Sequence, residues 1–542
     1  MGYKLFIDGQ FVDATGGKTF DTFDPGTGER ITEVAKAGAA DAEAAIDAAR
    51  RAFESGVWSG LTPEARMAKL CDFADQMFQQ AMRTAVTEAQ DTGQIISLTG
   101  LWALAAIGHM RTLSISAVQK FPWQEEIPIA GSIMFQGRDY IRREPLGVVA
   151  AIVPWNFPLY IAMWKIAPAL ITGNTMVLKP ASISPLSALI MAECAKAAGI
   201  PDGVFNVLPG PGGELGNVLC THKDVDKIAF TGSTEVGRDI MKLGADTIKK
   251  VTLELGGKSA AVILDDADMD LAVEGACFGS YFHQGQVCSA TTRILVHSKI
   301  YDEFVSKMKK RADAYRIGYQ LDPTAHLGPL ASREQLATVE SYVKIGKAEG
   351  AKLITGGKRA EVAGYDGGFY YQPTIFADVK NSMRIAQEEI FGPVASIIKY
   401  DSDEEAIAIA NDSIYGLGGA VYSSNTARAQ HIAHSVRTGT MCINSYGMFG
   451  DFCPFGGYKQ SGMGRDMGME ALQGYTQVKR VHISGFANAK NNNLFNIISD
   501  NKRTEGVAYN CPTAVYAGHG SLPMINKVVA DLGCRRALII TD

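Results

Sequence analysis

A basic excess, a pattern of paired cysteines and a long uninterrupted apolar run are all missing from this chain, and each absence closes off a class of protein. Lys and Arg number 52 against 57 Asp and Glu, for a net charge of -5 and a pI near 6.0. That balance leaves no electrostatic footprint for nucleic acid. The short runs Lys249-Lys250 and Lys309-Lys310-Arg311 read as solvated helix faces. No stretch approaches the ~18 uncharged apolar residues of a spanning helix. Met1 to Phe11 lacks the apolar centre of a secretory signal. The expectation is a cytoplasmic protein with no nucleic-acid and no membrane partner. Nine cysteines, an odd number scattered without Cys-x-x-Cys or Cys/His clusters, read as reduced thiols with no metal site.

What is present is the make-up of a well-packed enzyme. The 542 residues are 46% apolar and 20% charged, enough for roughly two to four domains. Near the start, Asp8-Gly9 between Lys4 to Ile7 and Gln10 to Val12 signals a hairpin. Asp41 to Phe53 and Pro63 to Thr92 carry Ala, Leu and Met at helical spacing. Between Phe121 and Gly147 the pattern turns extended, with Ser132 to Phe135 and Tyr140 to Arg143 as strand candidates. From Gly147 to Leu264, strand candidates alternate with helical windows. The strands are Gly147 to Val153, Thr175 to Leu178, Val204 to Leu208, Lys227 to Phe230 and Val251 to Leu255; the helices are Leu186 to Ala198 and Thr234 to Leu243. That alternation predicts a parallel sheet, and a second α/β stretch runs from Ala260 to about Val421. Ala487 to Asn510 reads as a polar linker. Thr513 to Ala517, Pro523 to Leu532 and Arg536 to Thr541 then read as strand, helix and strand.

Three separated motifs carry complementary chemistry. In Gly285-Gln286-Val287-Cys288-Ser289 a cysteine stands between a glycine and polar neighbours, either as a packing residue or as a nucleophile needing a tuned pKa. Glu254-Leu255-Gly256-Gly257-Lys258 ends an apolar strand. Its carboxylate is either solvated at a glycine turn or, at the ligand-gathering edge of a parallel sheet, a general base. In Pro154-Trp155-Asn156-Phe157-Pro158 two prolines hold the loop, and Asn156 either satisfies its own turn or donates to an oxyanion. Phe230 to Gly237 is a strand end, a turn and a helix start whose backbone N–H groups suit a pyrophosphate, although it is not Gly-x-Gly-x-x-Gly. Lys179-Pro180 ends another strand within reach of ribose hydroxyls.

Taken in this order, the motifs resemble the aldehyde dehydrogenase superfamily over about Met1 to Ser484. Glu389-Ile390-Phe391-Gly392-Pro393 and Pro454-Phe455-Gly456-Gly457 with Lys459, Ser461 and Gly462 add to the likeness. The resemblance implies a Rossmann-like cofactor domain (1–122 and 146–256), an α/β catalytic domain (257–462) and a small β oligomerisation element (123–145 and 474–486). It implies NAD as cofactor, a small-molecule aldehyde as substrate and a homodimer or homotetramer. It makes Cys288 the nucleophile, Asn156 the oxyanion donor, Glu254 the base and Lys165 a neighbour of the centre. Pro154, Trp155, Lys179, Ser182, Gly212, Gly232, Ser233, Val236, Leu255, Gly256, Glu389 and Phe391 match cofactor positions. Phe157, Tyr160, Trp164, Tyr446 and Phe449 match the substrate tunnel, which suits apolar aldehydes or, through cation–π attraction, cationic ones. The run Gln286 to Thr291 is similar to that of aminoaldehyde and betaine-aldehyde dehydrogenases. Two departures stand out. Ser182 replaces a glutamate that many NAD-preferring relatives carry, which opens the site to NADP. Asp466 replaces a glutamate of a proton path.

After the linker (487–510), the segment 511–542, with Gly518-His519-Gly520-Ser521-Leu522, is similar to the opening of an iron-containing alcohol dehydrogenase. It suggests a fragment of a bifunctional chain or a decoration that docks on a neighbouring subunit. Three functions follow for the main body: hydrolytic aldehyde oxidation, oxidation with acyl transfer to coenzyme A, or an inactive scaffold. The presence of nucleophile, base and oxyanion donor together favours the first.

Overall fold

The computed structural model describes residues 3–128, 137–447, 450–484, 507–510 and 514–517. These divide into two units, one of residues 1–121 and 145–476, the other of 122–144 and 477–542.

The larger unit is built on two sheets. In the first, the parallel strands Val148–Ile152, Thr175–Lys179, Phe205–Val207, Lys227–Thr231 and Lys250–Glu254 are arranged so that the Lys227 strand lies between the Val148 and Lys250 strands. The chain therefore winds one way through its first three strands and the other way through the last two. The crevice beyond the C-terminal ends of the Val148 and Lys227 strands is the switch point where ligands of such sheets bind. Leu5–Ile7 and Gln10–Val12 close one edge as an antiparallel pair, and Gly462–Met463 closes the other. The second sheet runs in the order Lys352–Thr355, Thr374–Ala377, Val394–Tyr400, Arg293–His297, Ala260–Ile263, Gly419–Tyr422, Cys442–Ile443. Only its first pair is antiparallel. Its two faces are covered by separate apolar clusters, one including Leu330, Val339, Phe376 and Ile432, the other Val273, Ala276, Phe304 and Met308. Sheets buried on both faces need continuous apolar strands, and Val148-Val149-Ala150-Ala151 meets that need with no exposure at any of the four.

Several helices went unread in the sequence, two of them strongly apolar. Ile96–Lys120 spans 25 residues, starts without a side-chain cap and buries residues such as Thr99, Ala106, Met110 and Leu113. By length it reaches the span of a bilayer, and half of its most apolar window is buried inside the protein. Pro158–Ile171 begins at a proline and is buried throughout. Pro158 pre-sets the first helical φ and gives up an N–H that has no partner in a first turn, so the second proline of the Asn156 motif opens a helix rather than holding a loop.

The smaller unit holds a three-stranded sheet in the order Thr476–Ser484, Gly137–Pro145, Gln124–Ile127. Inside it, Arg480 and His482 both reach the carboxylate of Asp139, Arg480 through two hydrogen bonds of 2.9 and 2.8 Å. Val507–Asn510 pairs antiparallel with Ala514–Ala517, so the end of the segment read as a linker is a strand. The strand candidate Ser132 to Phe135, Phe449 and the tail elements Pro523 to Leu532 and Arg536 to Thr541 lie outside the described residues.

Candidate active site

Three of the predicted motifs leave the ends of strands, whereas the Cys288 motif follows the helix Met269–Tyr281. Pro154-Trp155-Asn156 follows the Val148 strand, Gly232-Ser233 follows the Lys227 strand, and Leu255-Gly256-Gly257 follows the Lys250 strand. They converge with the Cys288 loop and Glu389-Ile390-Phe391 on one cavity of about 230 Å³. Its lining comprises Pro154, Trp155, Asn156, Gly232, Ser233, Leu255, Gly256, Cys288, Glu389 and Phe391, all of them predicted, with Ile161, Thr231 and Gln335 in addition.

The nucleophile loop is held from both sides. Gly285 sits at φ +69°, and a Cβ there would stand 2.2 Å from the Gly392 carbonyl oxygen, so no other residue fits. His283 and Gln284 just before it also adopt left-handed backbone, at φ 47° and 55°, a strain of the kind stored at functional sites. His283 is buried against the Phe157 ring, with centroids 5.1 Å apart. Burial lowers its pKa to about 4, so it stays neutral. Gln286 accepts the Ala331 N–H at 3.0 Å. Asn156 Nδ2 donates to the Gln286 carbonyl at 2.8 Å. A primary amide has two N–H bonds; this contact uses one, fixes the amide plane and leaves the second for a ligand.

The thiol of Cys288 is pushed well above its ordinary pKa, first by loss of water and then by the carboxylates of Glu254 and Glu389. Glu254, 2% exposed, is itself raised well above the usual carboxylate range by burial and then by Asp466, with Lys165 and Arg465 opposing. Its side chain lies against Gly456, where an added Cβ would be 2.8 Å from Oε1. It is thus not in the cavity wall but within electrostatic reach of the thiol. Lys165 is fully buried and pairs with Asp466 at 2.8 Å.

On the opposite side, Glu389 Oε1 accepts the Gly257 N–H at 3.1 Å, and burial raises its pKa to about 7. Gln335 Nε2 donates to the Ile390 and Phe391 carbonyls at 3.0 and 2.8 Å, fixing that segment. The Trp155 and Phe391 rings meet edge to face at 5.2 Å. Ser233 caps the helix Thr234–Leu243 by accepting the Val236 N–H at 3.3 Å.

Four predicted cofactor residues stand away from this cavity. Gly212 precedes the helix Gly213–Thr221 and is exposed; Val236 is 46% exposed on its helix. Lys179 is buried, with Nζ on its neighbour's carbonyl, Pro180 O, at 3.2 Å, and burial lowers its pKa to about 8. Ser182 donates to Gly210 O and lines a second cavity of about 410 Å³ with Ile183, Arg333 and Phe369. Three cavity residues were missed. Thr231 adjoins Gly232 and Ile161 lies one helical turn beyond Phe157, so both were within reach of the pattern. Gln335, on a helix far along the chain, had no local signal.

The predicted tunnel residues form an aromatic cluster. Tyr160 stacks on Trp102 at 5.1 Å and meets Trp164 at 5.1 Å; Phe157 packs on Trp102 and Phe282. Tyr446 touches Phe278 and approaches the Ser289 hydroxyl at 3.4 Å. Trp102 and Phe282 join this wall without having been singled out in the sequence.

Comparison with known proteins agrees with this geometry. The sequence model of the aldehyde dehydrogenase family matches residues 11–481. The chain is 46% identical over 482 residues to the DhaS protein of Bacillus subtilis (strain 168), covering 89% of this chain and 95% of that protein. An NAD+ complex of aldehyde dehydrogenase from Bacillus cereus superposes with a TM-score of 0.86 at 41% identity, covering 90% and 97% of the two chains. A betaine aldehyde dehydrogenase from Staphylococcus aureus in complex with NAD+ gives 0.86 at 39% identity, with the same coverage. With sheet order, cavity and sequence in agreement over nearly its whole length, the chain belongs to the aldehyde dehydrogenase family.

Proposed function

We propose that the protein oxidises an aldehyde to a carboxylic acid with NAD+ or NADP+, through a thiohemiacetal and a thioester on Cys288. As an oxidoreductase of this family it acts on aldehydes. The observation that carries the residue assignment is the convergence of Cys288 and Asn156 on one cavity with Gly232, Ser233 and Glu389, with Glu254 close enough to perturb the thiol.

The residues fit a dinucleotide. Apolar Pro154, Trp155, Leu255 and Phe391 line the cavity together with polar Thr231, Ser233 and Glu389, and Thr231 Oγ1 is buried with no hydrogen-bond partner among the described residues. When bound, a nicotinamide dinucleotide supplies the acceptor for a hydride from the substrate carbon and a positive charge beside the thiol. Cys288 gives up its proton to solvent, and Sγ forms a bond to the carbonyl carbon while the carbonyl π pair moves to oxygen. The free N–H of Asn156 and the Cys288 backbone N–H hold that oxyanion. The oxidised acyl group stays on Cys288 as a thioester. Glu254, as carboxylate, takes a proton from water; the hydroxide adds to the thioester carbon and the sulfur leaves. Because a water-activating base is present, hydrolysis is favoured over transfer to coenzyme A. Acid formation without coenzyme A tests this.

One observation favours a cationic aldehyde within the aromatic pocket. The half-buried carboxylate of Asp451 acts on the Tyr160 hydroxyl, whose pKa burial raises to about 12, and it accepts from the buried His109 ring at 3.3 Å. A spectrophotometric screen for reduced nicotinamide, crossing aliphatic, aromatic and amino-aldehydes with both cofactors, decides between the classes. Activity surviving intact in Cys288→Ala would refute the nucleophile.

The remaining readings belong with this one. The first sheet of the large unit supports a cofactor domain of 1–122 and 146–256, the second a catalytic domain of 257–462. The strands of 123–145 and 474–486 are read as the oligomerisation element of a homodimer or homotetramer, which light scattering tests. The free thiols support a cytoplasmic location. The likeness of 511–542 to an iron-containing alcohol dehydrogenase is tested by the mass of the native protein.

A further inference from the structure

Gln286, two residues before the nucleophile, is fully buried and takes no part in lining the cavity. Its side-chain amide instead bonds two main-chain groups. Nε2 donates to the His283 carbonyl at 3.4 Å, and Oε1 accepts the Ala331 N–H at 3.0 Å. The His283 carbonyl also accepts the Gln286 backbone N–H at 3.0 Å, so one residue holds that oxygen twice. The turn closed in this way needs holding, because His283 and Gln284 are left-handed at φ 47° and 55°, a conformation that L side chains avoid.

The backbone of the same residue reaches the chemistry. The Gln286 carbonyl accepts Asn156 Nδ2 at 2.8 Å, the contact that fixes the amide plane and leaves its second N–H for the oxyanion. Residues 286–292 lie in no helix or strand, so no ladder of hydrogen bonds sets the direction of that carbonyl. It is set by the turn before it, by the Gln286 side chain, and by the turn after it, where the Ala290 N–H donates to the Val287 carbonyl at 3.0 Å. The far anchor is firm. The Leu330 N–H donates to the Phe369 carbonyl at 2.9 Å, and Ser332 caps the helix Arg333–Ala348 by accepting the Gln335 N–H at 3.2 Å. Ala331 thus lies between two fixed neighbours. The Phe157 and His283 rings also meet, at 5.1 Å, but ring packing sets spacing and not the direction of a carbonyl.

We propose that Gln286 is a positioning residue of the acylation step: its buried amide, hung between the His283 carbonyl and the Ala331 N–H, aims the Gln286 carbonyl that orients Asn156 for the oxyanion. The inference rests on Asn156 being the oxyanion donor. Gln286 lines no part of the cavity, so its effect on the reaction passes through Asn156.

The test is the first turnover of reduced nicotinamide at saturating aldehyde and NAD+ in the full-length protein, for Gln286→Met, Asn156→Ala and the double variant. Methionine keeps the length of the side chain, removes the donor and leaves only a weak acceptor. The first turnover of Gln286→Met slows by on the order of 10–10², while NAD+ binding, read by quenching of tryptophan fluorescence, keeps the wild-type affinity. Adding Gln286→Met to Asn156→Ala slows it no further, because the amide to be aimed is already gone. A folded Gln286→Met with wild-type first turnover, a double variant slowed by the product of the two single effects, or a matching loss of NAD+ affinity overturns the proposal. Should Gln286→Met fail to fold, Gln286→Glu takes its place. An ionised carboxylate still accepts from Ala331 but cannot donate to His283, so its rate relative to wild type falls as pH rises; a ratio that does not fall overturns the proposal. Asn156→Ala separates the two readings: a wild-type first turnover there strikes the oxyanion assignment, whereas a slow Asn156→Ala beside a fast Gln286→Met strikes the glutamine alone.

Discussion

Replacing Asn156 by alanine removes two different things, and the structure allows each to be sized. The amide is 2% exposed and spends one N–H on the Gln286 carbonyl at 2.8 Å. Losing that contact leaves a buried carbonyl unsatisfied, a cost of about 1–3 kcal/mol in folding stability. The other N–H is free for the oxyanion, and deleting one such donor slows kcat by about 10²–10³, or ~2.7–4 kcal/mol of barrier. Urea unfolding measures the first loss and steady-state turnover at saturating aldehyde and cofactor the second. Asn156→Asp keeps the size of the side chain but puts a carboxylate where negative charge develops, so it must be at least as slow as alanine. A folded Asn156→Ala within tenfold of the wild-type kcat would refute the assignment, because Gln335, the other side-chain amide lining the cavity, spends its N–H groups on the Ile390 and Phe391 carbonyls.

Further outcomes follow from the same geometry. Gly257→Ala puts a Cβ 2.4 Å from the Cys288 carbonyl oxygen and 3.2 Å from Leu417 Cβ; backbone cannot swing aside, so about 1–3 kcal/mol of stability and most of the activity are lost together, which thermal melts and turnover check. Lys165→Met leaves Asp466 buried against one fewer cation and lowers stability by about 3–5 kcal/mol, read from urea midpoints; an unchanged midpoint contradicts the pair. Cys288 and Glu254 both have raised pKa values and both act deprotonated. Activity therefore rises with pH through the neutral and alkaline range, and a kcat/KM profile already flat at neutral pH would contradict this.

The parallel strands of the cofactor half were legible to within a residue or two because burial on both faces leaves only apolar, β-rich runs between breaks. Lys227 to Phe230 was read and Lys227–Thr231 found. The helix Ile96–Lys120 escaped for the opposite reason. Apolar residues lie on several of its faces, Gly100 and Gly108 interrupt it, and Ile95 gives no capping signal. Pro158, taken as the end of a loop, and Pro168 inside it masked the helix Pro158–Ile171. In the site, residues attached to strand ends were readable because topology delivers strand ends to one crevice. Gln335 was not, since only tertiary packing brings its helix to Phe391. Lys179 and Ser182 sit on a readable strand end, yet their side chains are turned onto Pro180 and Gly210, an orientation that sequence does not encode.

Burial, reinforced by the charges of Glu254 and Glu389, raises the Cys288 thiol and so also gives the resting protein a chemical durability. Peroxides and alkylating agents attack the thiolate and scarcely touch the neutral thiol. A nucleophile that holds its proton until a cofactor brings positive charge into the cavity is shielded from such damage while idle. It becomes vulnerable only while poised to work, so inactivation by iodoacetamide should quicken when NAD+ is added and slacken again when it is removed.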